Sequence, residues 1–265
     1  MRLFILLFAF SSCFSQGGNN LRVEYNETIT FIPQMAKRNL SRLYVLKDYS
    51  CYVLESSKIE RKGSTSNSDA IIVDTKVVKD FSEIIIDLKE KKLTERLSEN
   101  IFLKKKYSVC ENLTLMKWKI LDGEKKIKNY ICKNAQITFR GKTYTAWYTE
   151  KIPVSIGPWK FNGLPGLILL VSDNEGYYKW DAKSITYPYN GKEIDFKKTI
   201  NSNPNFPLIS FKDFDKKRID AIQNKIEIIR ARNSGREGMR VGGYSYSTFQ
   251  EKEPINEWRT KKDFD

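Results

Sequence analysis

The sequence predicts a mainly β protein: a curved antiparallel meander sheet, open like a half-barrel, with one amphipathic helix near the C-terminus. Three observations carry this. Apolar and polar residues alternate over short stretches that recur with turn signals between them and no helical stretch intervening. Aromatic residues make up 13% of the chain, and aromatic side chains favour strands. One late segment switches to the 3.6-residue period of a helix.

Residues 1–15 read as a signal peptide. Arg2 charges its start, and the run from Leu3 to Phe10 is apolar but too short to span a bilayer. Cys13 and Ser15 supply the small residues of a cleavage site, which places cleavage after Ser15. Lipidation of Cys13 is the competing assignment, but Phe10-Ser11-Ser12 fits a lipobox poorly. No later segment is apolar over the ~18 residues a membrane helix needs, so the chain is not expected to be transmembrane.

The strands follow. Residues 21–31 carry Val23, Tyr25, Ile29 and Phe31 at even spacing, and residues 43–54 repeat the theme with Tyr44, Leu46, Tyr52 and Leu54. Residues 61–69, with Gly63 among serines, read as a loop. Apolar and β-branched residues at 71–78, 81–88, 93–97, 101–107 and 113–121 give further strands, and Leu121-Asp122-Gly123-Glu124 gives a turn. Residues 130–139 and 142–149 form a hairpin around Arg140-Gly141. On its second strand Tyr144, Ala146 and Tyr148 share one face; Thr143, Thr145, Trp147 and Thr149 share the other. Residues 167–171 are a continuous apolar run, as in a buried strand. Asp173-Asn174-Glu175-Gly176 turns the chain, and residues 177–185 return with Trp180 aimed at the sheet face.

Ser210-Phe211-Lys212-Asp213 resembles a capping box with Asp where Glu or Gln is usual. Phe211, Phe214, Ile219, Ile222, Ile226 and Ile229 then share one helical face. The helix 211–229 is expected to pack on the sheet and cover its open side. From 231 on, Gly, Ser, Arg and Lys dominate. The layout is thus a signal peptide at 1–15, a single β-rich domain at 16–230 and a flexible basic tail at 231–265.

The stretch from Gly157 to Leu169 stands apart. Asn162-Gly163 is a turn dipeptide, and Pro165-Gly166 suits a type II turn with glycine at positive φ. This punctuation alternates with Trp159, Phe161, Leu164, Leu167 and Ile168. Such a corner either plugs the protein's own core or holds a rigid apolar lip against a ligand. Gly163-Leu164-Pro165-Gly166-Leu167-Ile168 spells GLPGLI. With the segment from Phe139 to Thr149, Ile152-Pro153-Val154 and Tyr130-Ile131-Cys132-Lys133-Asn134-Ala135, it resembles the GLPGLI family. Lys142 stands where that family's pattern has a second Arg. The resemblance runs from about Trp118 to Ile185. It implies an exported protein of Gram-negative Bacteroidota, in the periplasm or outside the cell. It supplies no catalytic residue, because the family has no defined activity. The order of strands and turns around the corner also resembles the half-barrel of periplasmic lipoprotein carriers of the LolA type, at the level of fold alone.

The chain contains no histidine, which excludes Ser-His-Asp and Cys-His catalysis and every histidine-ligated metal site or haem. Cys51, Cys110 and Cys132 follow the signal peptide without a CxxC. Cys110–Cys132 is the preferred disulfide, with Cys51–Cys132 the alternative. The net charge of +14 is spread along the chain, which reads as a solvated surface rather than a nucleic-acid site. Glu150, Asp173, Glu175 and Asp181 flank the motif, but no spacing selects a pair for hydrolysis. Arg140 and Lys142 are candidate contacts for an anion. Trp147, Trp159, Phe161, Leu164, Leu167 and Trp180 are the candidate ligand-binding set. The sequence therefore favours a non-enzymatic binding protein, without cofactor or metal, for a hydrophobic small molecule or a peptide. Docking to an outer-membrane transporter or secretion component is the alternative, and a carboxylate-dependent hydrolase is the third reading.

Overall fold

Alternating residues pack one continuous sheet. The computed structural model describes residues 20–32, 35–67, 70–97, 103, 105–191, 205–233 and 252; side chains are not described at 31–32, 35, 56–67, 70–81, 229–230 and 232–233. The strands are β1 (Leu21–Ile32), β2 (Met35–Leu46), β3 (Tyr49–Asn67), β4 (Ala70–Asp87), β5 (Lys92–Leu97), β6 (Tyr107–Asn112), β7 (Lys119–Ile127), β8 (Tyr130–Phe139), β9 (Lys142–Thr149), β10 (Leu167–Asp173), β11 (Tyr178–Thr186) and β12 (Leu208–Ser210). Helix α1 spans Phe211–Asn233.

Two meanders make the sheet. One runs outward from β1 to β6. The chain then crosses through 113–118 to β7 and runs inward to β11, which pairs antiparallel with β1. The full order is β12-β6-β5-β4-β3-β2-β1-β11-β10-β9-β8-β7, an open curved sheet rather than a closed barrel. The predicted class is therefore observed. Its face is legible strand by strand: Leu21, Val23 and Tyr25 are buried on β1, Tyr144, Ala146 and Tyr148 on β9, and Tyr178, Trp180 and Ala182 on β11. These join one core with the corner residues Ile152, Trp159, Phe161, Leu164 and Ile168.

Several boundaries differ from the sequence reading. A turn at Lys47-Asp48 separates β2 from β3, where one strand at 43–54 was expected; Lys47 takes φ 40°. The expected loop at 61–69 is strand through Asn67, with Gly63 at a register shift. Gly123 also marks a bulge: the expected Asp122-Gly123 turn lies inside β7, and the chain reverses at Lys128 instead. Glycine is common at bulges as well as in turns, which is why both were misplaced; Gly123 takes φ 116°. Residues 71–78 and 81–88 form the single strand β4. Residues 113–118 are a connection rather than a strand, and β6 begins where the 101–107 strand was expected to end.

The helix begins at the expected residue. Ser210 Oγ accepts the Asp213 N–H at 3.1 Å and donates to Asp213 Oδ2 at 2.6 Å. Phe211 and Phe214 pack with Val109, Leu97, Tyr107 and Ile209. This anchors α1 on the β6–β12 edge, as expected of a helix that packs on the sheet, and its first residue, Phe211, also meets Arg140 of the β8–β9 turn and Lys160. The signal peptide lies outside the described residues, as does the tail beyond 233 except Lys252.

Candidate functional site

The corner between β9 and β10 is folded by backbone contacts. The Gly157 N–H donates to Phe161 O at 2.8 Å, and Phe161 N–H donates back to Pro158 O at 3.2 Å, closing a turn over Trp159 and Lys160. Trp159 takes φ 53°, a costly value for a large side chain. The turn therefore lies at 158–161, not at Asn162-Gly163. Asn162 instead bridges to Ile156, and Gly163 alone takes positive φ, +94°. Gly166 is not at positive φ, so the type II turn expected at Pro165-Gly166 is absent. A Cβ there would sit 2.2 Å from Thr149 O; close approach, not φ, demands the glycine.

The corner drives aromatic rings into the inner face. The Trp159 ring stacks on Trp180 at 6.0 Å, and Trp180 stacks on Tyr178 at 5.9 Å. Phe161 meets Trp180 edge-on at 5.4 Å and Tyr144 at 4.9 Å. Leu164, Leu167 and Ile168 are fully covered. Of the candidate ligand-binding set, Trp159, Phe161, Leu164, Leu167 and Trp180 are thus brought together, as interior packing rather than as an exposed apolar lip. Trp147 is not among them: it lies on the opposite face of β9, under the Lys125 ammonium at 4.1 Å.

Within this apolar interior sits a polar line. Trp180 Nε1–H donates to Tyr52 Oη at 3.0 Å, and Tyr52 donates to Glu27 Oε2 at 2.6 Å. The Glu27 carboxylate is fully buried, and its Oε1 accepts from Lys252 Nζ at 2.7 Å. That ammonium lies 5.2 Å from the Trp180 ring centre, 5.6 Å from Tyr178 and 5.8 Å from Trp159. Tyr144 Oη donates to the Lys252 carbonyl at 2.9 Å. Burial first, then the Glu27 charge, push the Tyr52 phenol well above its ordinary value, so it stays a donor. A single residue far outside the sheet therefore enters a box of three rings and a carboxylate.

Two further ion clusters flank the corner. Lys160 is buried and reaches Glu111 at 2.8 Å and Glu95 at 3.2 Å; Arg140 meets the same Glu111 at 2.5 Å. Burial alone would raise the Glu111 carboxyl, but Lys160 and Arg140 bring it below the usual range. Lys142 is buried against Asp173 at 3.3 Å and Glu175 at 2.5 Å. Burial pushes the Asp173 carboxyl up even so. The candidate anion contacts Arg140 and Lys142 are thus both engaged with internal carboxylates. Of the four flanking acids, Asp173 and Glu175 meet on Lys142, whereas Glu150 pairs with Lys133 and Asp181 with Lys179. A shallow depression lined by Glu111, Met116, Phe139, Lys160 and Asn162 has room for about one water molecule.

The disulfide expectation is corrected: Cys51, Cys110 and Cys132 are free thiols. Cys110 on β6 faces Thr94 and Ser210, Cys132 on β8 faces Lys125, and Cys51 packs with Leu46 and Ile85 in a separate cluster. Among the described residues, no group of three or more His, Cys, Asp or Glu could hold a metal ion, and no helix is long and apolar enough to cross a membrane.

Sequence reasoning missed Glu27, Tyr52, Tyr178 and Lys252. One signal was present. Val23, Tyr25, Glu27 and Ile29 keep strict alternation, so Glu27 occupies an inward position and needs a buried partner. Nothing in the sequence pointed to Lys252 as that partner.

Comparison with known proteins is consistent with this geometry. Residues 138–170, which run from the end of β8 through the corner into β10, match the model of a family described as a protein of unknown function (Porph_ging). No curated protein matches the chain. Among solved structures, PNGF-II in the C2 and P21 space groups is similar, each with a TM-score of 0.51 and 16% identity over 77% of this chain. The match covers 33% and 34% of the PNGF-II chains, so this protein spans about a third of their length and the likeness is one of fold.

Proposed function

We propose that this is an exported, non-enzymatic binding protein that holds a peptide-like ligand in the hollow of its curved sheet. The observation that carries the reading is the seat of Lys252. A backbone carbonyl from outside the sheet accepts from Tyr144, and its side chain lies along Trp159, Tyr178 and Trp180. A surface that receives one such residue through backbone and side chain together has the chemistry to receive another. The complete filling of the corner by its own apolar side chains favours a peptide over a lipophilic molecule. Export to the periplasm rests on the pattern of residues 1–15 and on the resemblance to an exported family.

The test is a native mass spectrum of protein purified from the periplasm, recorded before and after mild denaturation. A reproducible, dissociable extra mass that fragments as a peptide supports the reading. A bare chain that also fails to bind a pool of short peptides by tryptophan fluorescence would overturn it. The same spectrum reads the N-terminus, and hence cleavage after Ser15.

A further inference from the structure

Glu27 poses a physical problem that the sheet does not solve by itself. Its register partners are Asn39 on β2 and Trp180 on β11, neither of them cationic. A carboxylate at zero exposure is costly unless a cation and hydrogen bonds meet it. The hydrogen bond comes from Tyr52, and the cation comes from Lys252, 225 residues further along the chain. The Lys252 side chain keeps 23% of its surface exposed, so the box opens to solvent on that side.

We propose that Glu27, Tyr52, Tyr144, Trp159, Tyr178 and Trp180 form a recognition site for a lysyl side chain on a peptide. Lys252 is its resident occupant, an intramolecular competitor for peptides from other proteins. This deepens the binding reading above and rests on it. Three features select the ligand class. Three ring faces around one ammonium are the arrangement that attracts a cation in a dry setting. Tyr52 already occupies Glu27 Oε2, leaving Oε1 as the acceptor that the entering cation uses. A single acceptor suits the point charge of an ammonium; a guanidinium fork needs both oxygens to bind bidentately. A fully methylated ammonium lacks the N–H that Oε1 accepts. Tyr144 meanwhile takes the carbonyl of the same residue, which demands a peptide rather than a free amine.

The test uses the full chain, wild type and Lys252→Ala, titrated calorimetrically with acetyl-Ala-Lys-Ala amide and with its arginine and norleucine counterparts. Removing the internal competitor is expected to tighten lysine-peptide binding by about tenfold or more, by the fraction of sites freed. In Lys252→Ala the norleucine and arginine peptides are expected to bind about 30-fold more weakly than lysine, the loss typical of an unpaired buried charge. Adding Glu27→Gln should abolish that preference. Tyr144→Phe, which leaves the carboxylate untouched, should weaken all three peptides alike and keeps the idea testable if Glu27→Gln fails to fold. Equal affinity of Lys252→Ala for all three peptides would overturn lysyl selectivity while leaving peptide binding in place. If Lys252→Ala binds no peptide and melts lower than wild type, Lys252 is a structural strap and the site is overturned. If it also binds nothing from a peptide pool, the binding function falls with it.

Discussion

Gly163 and Gly166 belong to one hexapeptide yet answer to different constraints. Gly163 takes φ +94°, and a Cβ there would also meet Met116 O at 2.4 Å. Gly166 has ordinary φ but presses on the Thr149 carbonyl. Gly176, by contrast, takes φ +81° with open space around it. Gly166→Ala should therefore cost about 3 kcal/mol or more through backbone displacement, and Gly176→Ala only about 1–2 kcal/mol through φ alone. Urea midpoints of the two variants check this; a larger loss at Gly176 would refute the close-approach account. Asn162 ties the same corner to the 113–118 connection. Its Oδ1 accepts Met116 N–H at 3.3 Å, and its Nδ2 donates to Thr114 O at 3.1 Å and Lys160 O at 3.0 Å. Asn162→Ala is expected to cost about 3 kcal/mol for three lost bonds. Asn162→Asp should cost more, because it turns a carboxylate oxygen on two carbonyls. Equal midpoints for the two variants would contradict that ordering. These roles were hidden in the sequence because Asn-Gly and Pro-Gly signal turns by φ preference, whereas here three of the four residues, Asn162, Gly163 and Gly166, serve contacts set by tertiary approach.

Elements were more legible than residues. The ends of β8 and β9 and the start of α1 coincide with the sequence reading, since an Arg-Gly turn at φ 44° and 85° and a Ser-x-x-Asp cap are local signals. What α1 packs against was not local. Its Phe211 ring lies 4.6 Å from both the Arg140 guanidinium and the Lys160 ammonium, the two cations that share Glu111. Glu111 thus joins β6, the β8–β9 turn, the corner and the helix start. Its carboxyl lies below the ordinary 4.5 in the folded protein. The stability it contributes is therefore fully present above pH 4.5 and is lost as the pH falls through the lower folded value. At pH 7, Glu111→Gln should destabilise the fold by about 1–3 kcal/mol, because Lys160 keeps Glu95. The gap between wild type and variant should shrink in guanidinium titrations below pH 4.5. A gap that stayed constant with pH would mean that the two cations do not act through the Glu111 charge.

At the scale of the molecule, short strands with turns between them were enough to predict a meander, and the absence of a closed barrel agrees with that reading. The sequence does not reveal that the chain makes two meanders joined through β1 and β11, because pairing between strands more than 140 residues apart leaves no local period; Tyr25, for example, donates to Ile168 O at 2.7 Å across 143 residues. That seam decides how the protein should unfold. The core residues of both meanders form one cluster, with Tyr52, Ile84 and Leu93 from one side and Tyr144, Leu169 and Trp180 from the other. Neither half retains its buried face if the seam opens, so each would expose apolar surface that only the other covers. Far-ultraviolet dichroism reads strands in both meanders, and near-ultraviolet dichroism reads the stacked Trp159 and Trp180 rings at the junction. The two signals are expected to follow one transition in urea with one midpoint, and Tyr25→Phe should shift both together by about 1–2 kcal/mol, leaving the Ile168 carbonyl unpaired. If the tryptophan signal were lost first, with most of the strand signal intact, the meanders would be separate cooperative units and β1–β11 an interface between them.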